Sequence, residues 1–250
     1  MSAAARNNWP AGYRIAAYDE LDSTNAEGRR QAEAGEAGPL WITAATQTAG
    51  RGRRGRTWDS GQGNLAATLL LRPARPLAEW PQLSFAAAIA TADMAARFAP
   101  WSVIAVKWPN DVLADGRKLS GILLETAGPS SMDQALAIGI GVNLKTYPTE
   151  TEFPAISLGA LGARPPLPDE ALALLATGFA GWYEVWLAEG FAPIRDAWLA
   201  RAAGLGQRIR ARLPDMERSG IFEGIDADGA LLLNEAGRTR AIAAGEVFFG

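Results

Sequence analysis

The stretch Gln47-Thr48-Ala49-Gly50-Arg51-Gly52-Arg53-Arg54-Gly55-Arg56-Thr57-Trp58-Asp59-Ser60-Gly61 decides which kind of sheet this chain can build. Gly50 to Gly55 spells G-x-G-x-x-G, the letters of a dinucleotide-binding turn, which needs a strand before it and a helix directly after it. Leu40 to Thr46 alternates like a strand, but Thr57 to Gly61 leads into a second strand, Asn64 to Leu71, with no helix between. Nor does an acidic residue stand at a strand end about 20 positions on, where such a turn would hold a ribose. The doubly wound reading fails. With five glycines and four arginines, residues 47–63 form a long loop between two strands. RNA-binding Gly-Arg tracts are long disordered repeats, whereas this is a single copy inside a folded pattern. A solvated charged loop stays open as an alternative.

Outward from the loop, strands and helices follow one another. Tyr13 to Tyr18 reads as a strand, and Thr24-Asn25-Ala26-Glu27 fits a capping box for a helix over about 25–34 that Gly35 ends. Trp80 to Phe98 is an Ala-rich amphipathic helix with Pro81 in its first turn. Ser102 to Lys107 is a strand that stops at Trp108-Pro109-Asn110-Asp111, since proline lacks a donor. Val112 to Ala114 and Leu119 to Thr126 make a hairpin about Asp115-Gly116-Arg117. Gln134 to Asn143 is a buried strand, with Gly139 and Gly141 where a large side chain would be in the way. Asp169 to Arg201 carries helical periodicity broken near Gly190 and Pro193, with Trp182, Trp186 and Trp198 as core. After Gly204 come short β-runs at Arg208 to Leu213, Gly220 to Ile225, Ala230 to Asn234 and Arg238 to Phe249, for which a small barrel is the economical expectation. The pattern implies an α+β protein: a mixed sheet packed with helices over residues 13–203, and a small β-unit over 204–250.

Composition narrows the chemistry. Lys and Arg number 24 against 27 acidic residues in 250, so any cationic function is local rather than a bulk attraction to nucleic acid or membrane. Without cysteine or histidine the chain has no disulfides, no thiol nucleophile, no Ser-His-Asp triad and no His- or Cys-based metal site. Lys, Arg, carboxylates and backbone must carry the chemistry. Met1 to Asn7 offers no apolar signal core, the opening to about Gly12 reads as a loose tail, and no stretch approaches the roughly 20 apolar residues of a membrane span. A cytoplasmic protein is expected.

Glycines of the loop let backbone N–H groups form a nest for an anion, and guanidinium forks bind carboxylate or phosphate at two points. Lys107 to Asp111 sets a cation at a strand end and a carboxylate beside it, although a surface ion pair at a turn reads the same. Lys118 opens the hairpin's return strand, and Gly121 permits close approach of a flat ligand, against the plainer reading of an exposed hairpin lysine. Asn143 ends a buried strand, where a satisfied core asparagine is equally expected.

In this order, Leu21-Asp22-Ser23-Thr24-Asn25, Gln47 with Gly50 to Arg56 and Trp58, Lys107 to Asp111, Lys118 to Leu123 and Gly141-Val142-Asn143 resemble the catalytic domain of bacterial biotin protein ligases. Gly224-Ile225-Asp226 and Gly229-Ala230-Leu231-Leu232 resemble that family's small SH3-like domain, so the likeness spans about 14 to 250. The resemblance implies an enzyme that joins biotin to ATP as biotinyl-5′-AMP and passes biotin to a lysine of a biotin carboxyl carrier protein domain. By the resemblance, Ser23, Thr24, Asn25 and Gln47 would bond the ureido ring, though helix capping also explains Thr24. Arg51, Gly52 and Gly121 would lie on the biotin side, and Arg53 and Lys118 would bracket the biotin carboxylate and α-phosphate. Trp58 would cover adenine, while Arg56, Lys107, Asp111 and Asn143 would line the nucleotide side. Asp111 would also orient the acceptor lysine. Magnesium would ride in with ATP, with no protein ligand assigned. Fewer than about 15 residues precede the pattern, too few to bury a core, so a single-function enzyme without DNA binding is expected, as monomer or homodimer. A lipoate protein ligase and a non-catalytic nucleotide or RNA binder are the rival readings.

Overall fold

The computed structural model describes residues 9–130 and 133–249; the expected N-terminal tail falls largely on residues 1–8, outside the described residues. Seven strands form one sheet: β1 (Arg14–Leu21), β2 (Leu40–Gln47), β3 (Leu65–Leu71), β4 (Ile104–Lys107), β5 (Asp111–Ala114), β6 (Arg117–Ser130) and β7 (Asp133–Val142). Their order is β1-β2-β3-β7-β6-β5-β4, parallel only between β1 and β2. The expected mixed sheet is therefore present.

Three helices pack on it, α1 (Thr24–Glu33), α2 (Leu83–Phe98) and α3 (Pro168–Glu189), and a fourth, α4 (Ala192–Leu199), packs against α2 and α3. Leu40, Ile42 and Leu70 pack with Ala32 of α1, whereas Trp41, Leu69, Leu71, Ile138 and Ile140 join the core beneath α2 and α3. Every residue of β3 is buried, as expected of a strand with both faces covered. Small residues bring α2 and α3 close, since a Cβ on Gly178 would stand only 3.5 Å from the Ala90 methyl. Contrary to the sequence expectation, α3 is long and apolar enough to cross a membrane. Its apolar side nevertheless belongs to the core, through Leu172, Leu175, Phe179 and Trp186.

Three local expectations change. The first helix is capped by Ser23, whose Oγ accepts from the Ala26 amide at 3.5 Å; the expected box fails because the Thr24 hydroxyl and the Glu27 carboxylate are engaged elsewhere. Pro81 falls inside a 3₁₀ turn, Leu77–Gln82, that precedes α2. The run Arg238 to Phe249 is two strands, β11 (Arg238–Ile242) and β12 (Glu246–Phe249).

With β8 (Arg208–Arg212), β9 (Glu217–Ile225) and β10 (Leu231–Glu235), those two strands make an antiparallel sheet ordered β11-β10-β9-β8-β12. This C-terminal sheet is not a loose appendage. Trp108 donates its indole N–H to the Gly229 carbonyl at 3.0 Å, Trp198 meets Phe222 edge-on at 6.5 Å, and Phe222, Ile225 and Leu231 belong to the main core. A Cβ on Gly229 would stand 2.7 Å from the Phe85 ring, so only glycine lets the β9–β10 turn press onto α2. The docking carries β12 to the ends of β4 and β5.

Candidate active site

One cleft of about 510 Å³ is lined by Ser23, Thr24, Asn25, Gln47, Arg51, Gly52, Arg53, Arg56, Trp58, Lys107, Asp111, Lys118, Gly121 and Asn143. All the residues singled out from sequence thus meet at one place, and its two ends differ in chemistry.

One end is lined by the polar, uncharged side chains of Ser23, Thr24, Asn25 and Gln47, with the Glu125 carboxylate behind them. Gln47 Oε1 accepts from the Thr24 amide at 2.8 Å and lies 3.1 Å from the Thr24 hydroxyl, while its Nε2 donates to Ser60 Oγ at 2.7 Å. Thr68 Oγ1 stands 2.6 Å from Asn25 Oδ1 and 2.8 Å from Thr24 Oγ1. Asn25 Nδ2 donates to the Leu123 carbonyl at 3.3 Å and to Glu125 at 2.8 Å. Burial in such a network holds each group in one orientation, because releasing one strands its partner at a cost of about 1–3 kcal/mol. Asn25 fits against the sheet because the position facing it is Gly139, where a Cβ would collide with its amide.

The floor between the ends is also glycine. A Cβ on Gly141 would overlap the Trp58 indole, and one on Gly121 would stand 3.1 Å from it. The flat group lying over Gly121 is thus the chain's own Trp58, whose indole Nε1 is buried without a hydrogen-bond partner.

The other end is cationic. β4 and β5 pair Lys107 with Asp111 across the strands, and β6 brings Lys118 Nζ to 2.7 Å from Asp111 Oδ1. Lys107 is only 5% exposed, and its Nζ stands 3.5 Å from the centre of the Phe153 ring, with Phe248 and Phe249 at 5.6 and 5.9 Å. Burial pulls its pKa down to about 8, with Asp111 opposing and Lys118 adding to the shift. Asn143 is buried, spends Nδ2 on the Ile156 carbonyl at 3.1 Å, and has no protein partner for Oδ1.

The loop's arginines divide. Arg51 Nη1 lies 4.0 Å from Glu125, Arg54 lies 3.6 Å from Glu246 of β12, and Arg56 pairs with the same Glu246. Arg53 turns inward instead, donates to Asn110 Oδ1 at 3.1 Å, and has its pKa lowered chiefly by burial. Three amides of the expected nest are already spent: those of Gly52, Arg56 and Trp58 donate to the Arg56, Arg53 and Gly50 carbonyls.

Sequence reading missed Ser60, Thr68, Asn110, Glu125, Phe153, Glu246 and Phe248. Thr68 had a readable signal, as the single hydroxyl in the apolar run Leu65 to Leu71. Glu246 and Phe248 had none, because they reach the cleft only through docking of the C-terminal sheet, and Phe153 had none because it lies in the irregular segment between β7 and α3.

Comparison with known proteins is consistent with this geometry. The model of the biotin/lipoate A/B protein ligase family matches residues 19–143, and that of the biotin protein ligase C-terminal domain matches 204–250. The chain is 48% identical over 243 residues to the biotin–acetyl-CoA-carboxylase ligase of Paracoccus denitrificans, covering 92% of this chain and 98% of that one. It is 34% identical to the corresponding Mycobacterium tuberculosis ligase, covering 91% and 86%. Among solved structures, the Aquifex aeolicus biotin protein ligase in complex with biotin and ATP superposes with a TM-score of 0.80 at 25% identity, covering 94% and 97%. Fold and site define a ligase of the biotin/lipoate class. Within that class, the chain belongs to the biotin protein ligases.

Proposed function

We propose that the protein activates biotin with ATP as biotinyl-5′-AMP, releasing pyrophosphate, and then passes the biotinyl group to a lysine of a biotin carboxyl carrier protein domain. The observation that carries this reading is the two-ended cleft, where buried uncharged hydrogen-bonding groups at one end face Arg53, Lys107 and Lys118 around Asp111 at the other. A cyclic urea with a carboxylate tail asks for those two environments at opposite ends.

In this reading Ser23, Thr24, Asn25 and Gln47 hold the ureido ring. Gln47 Nε2 has one hydrogen left for its carbonyl, and Asn25 Oδ1 has a lone pair left for a ring N–H. Arg51, Gly52 and Gly121 flank the path of the acyl chain. Arg53 and Lys118 bracket the carboxylate and α-phosphate, cancelling the repulsion that keeps two anions apart. The carboxylate oxygen attacks the α-phosphorus and pyrophosphate leaves. Trp58, Arg56, Lys107, Asp111 and Asn143 line the nucleotide side, with Asn143 Oδ1 as an open acceptor. In the second step the carrier amine attacks the acyl carbon, AMP leaves, and the amine proton is lost; Asp111 orients that amine. Magnesium is proposed only as a passenger of the triphosphate. Among the described residues no group of three or more Asp or Glu side chains is placed to hold a metal ion.

Incubation with biotin, ATP and a purified carrier domain should add one biotinyl group to that domain by mass spectrometry. An unmodified carrier domain, with the ligase folded, would contradict the proposal.

A further inference from the structure

An asparagine amide has two hydrogens and two acceptor lone pairs to place. Both hydrogens of Asn25 go to groups that can only accept, the Leu123 carbonyl and the Glu125 carboxylate, so the amide cannot be turned over. Thr68 takes one lone pair of Oδ1, which leaves a single acceptor site. The other oxygen of Glu125 lies 4.0 Å from Arg29 of α1 and 4.0 Å from Arg51 of the Gly-Arg loop. Two guanidinium groups thus face the carboxylate, and one belongs to the loop that borders the cleft.

We propose that Glu125 is the positioning residue that sets specificity at the uncharged end of the cleft: it locks Asn25 as an acceptor and ties Arg51 to the same point. The inference rests on the biotin reading above. A site so locked accepts a ring N–H and rejects a ring oxygen, because an acceptor facing an acceptor is both unpaired and repelled. Without the carboxylate the amide loses its shorter hydrogen bond and is held only by the Leu123 carbonyl at 3.3 Å and by Thr68, and the discrimination weakens.

The test compares biotin with its cyclic carbamate analogue, in which one ring N–H is replaced by oxygen, by steady-state pyrophosphate exchange. Glu125→Ala should raise the biotin KM about tenfold, leave kcat and the ATP KM within about twofold, and cut the biotin-to-carbamate ratio of kcat/KM about tenfold. Glu125→Gln, whose side-chain oxygen still accepts from Asn25, should keep that ratio within about threefold of the parent. The ratio does not depend on how much of a variant folds. An unchanged ratio in Glu125→Ala, or an equal loss in both variants, overturns the inference. A parent enzyme with no biotin-dependent exchange would instead overturn the functional reading itself.

Discussion

The ammonium of Lys107 stands 3.5 Å from the centre of the Phe153 ring, held by an aromatic face where most buried lysines meet a carboxylate. Phe153 comes from the segment between β7 and α3, and Phe248 and Phe249 come from β12, so the C-terminal sheet completes the surroundings of a cleft cation. The groups facing Lys107 are Asp111, Lys118, Glu246 and Arg56.

This arrangement makes the first step pH-dependent. With its pKa lowered to about 8, Lys107 loses the charge it is proposed to offer phosphate as pH rises through that value. The kcat/KM for ATP should therefore fall above about pH 8, and Phe153→Ala, which admits water, should move that limb to higher pH. A limb that stays in place in Phe153→Ala contradicts the assignment.

The same burial bears on stability. Below pH 8 Lys107 is charged in both states; between about 8 and the ordinary 10.5 the folded state has released a proton that the unfolded state retains, so stability rises with pH. At neutral pH Lys107→Met should abolish exchange yet stabilise the fold by up to about 3 kcal/mol. Urea denaturation at pH 7 measures it, and a less stable variant would count against a buried, unpaired charge.

Arg53 and Arg54 are sequence neighbours with different partners. Arg53→Ala should lower kcat/KM about a hundredfold, the loss of charge-assisted bonds made by a half-buried group turned into the cleft. Arg54→Ala breaks an exposed pair with Glu246 and should cost less than about fivefold. Equal losses in the two variants would mean that the inward turn of Arg53 has no consequence.

Asp111 pairs with Lys118 at 2.7 Å and is proposed to orient the incoming amine. Asp111→Asn should slow transfer from preformed biotinyl-5′-AMP to the carrier domain in a single-turnover assay. An unchanged transfer rate removes that role.

Gly141→Ala places a methyl where the Trp58 indole lies. The variant should stay folded, shift tryptophan emission, and weaken ATP about tenfold. Unaltered emission with unaltered ATP binding would show that the indole does not depend on this floor.

Much of this was legible from local signals. Alternation marked the strands, the missing helix after Gly55 ruled out a doubly wound domain, and Gly139 and Gly141 announced two close contacts, now seen to be with Asn25 and Trp58. What escaped depends on contacts between segments far apart in the chain. Thr24 reads as a cap until Gln47, 23 residues on, takes its hydroxyl. The amides of Gly52 and Trp58 look free until Arg51 and Thr57 bridge and spend them on the Arg56 and Gly50 carbonyls. Glu246 looks like an ordinary strand residue until β12 pairs with β8 and carries it to Arg54 and Arg56.

The most direct test of the central claim is exchange of labelled pyrophosphate into ATP, run in parallel with biotin and with lipoate. Exchange that requires biotin, is not supported by lipoate, and is lost in Arg53→Ala is the predicted result. Exchange driven by lipoate, or none with biotin, would contradict the account.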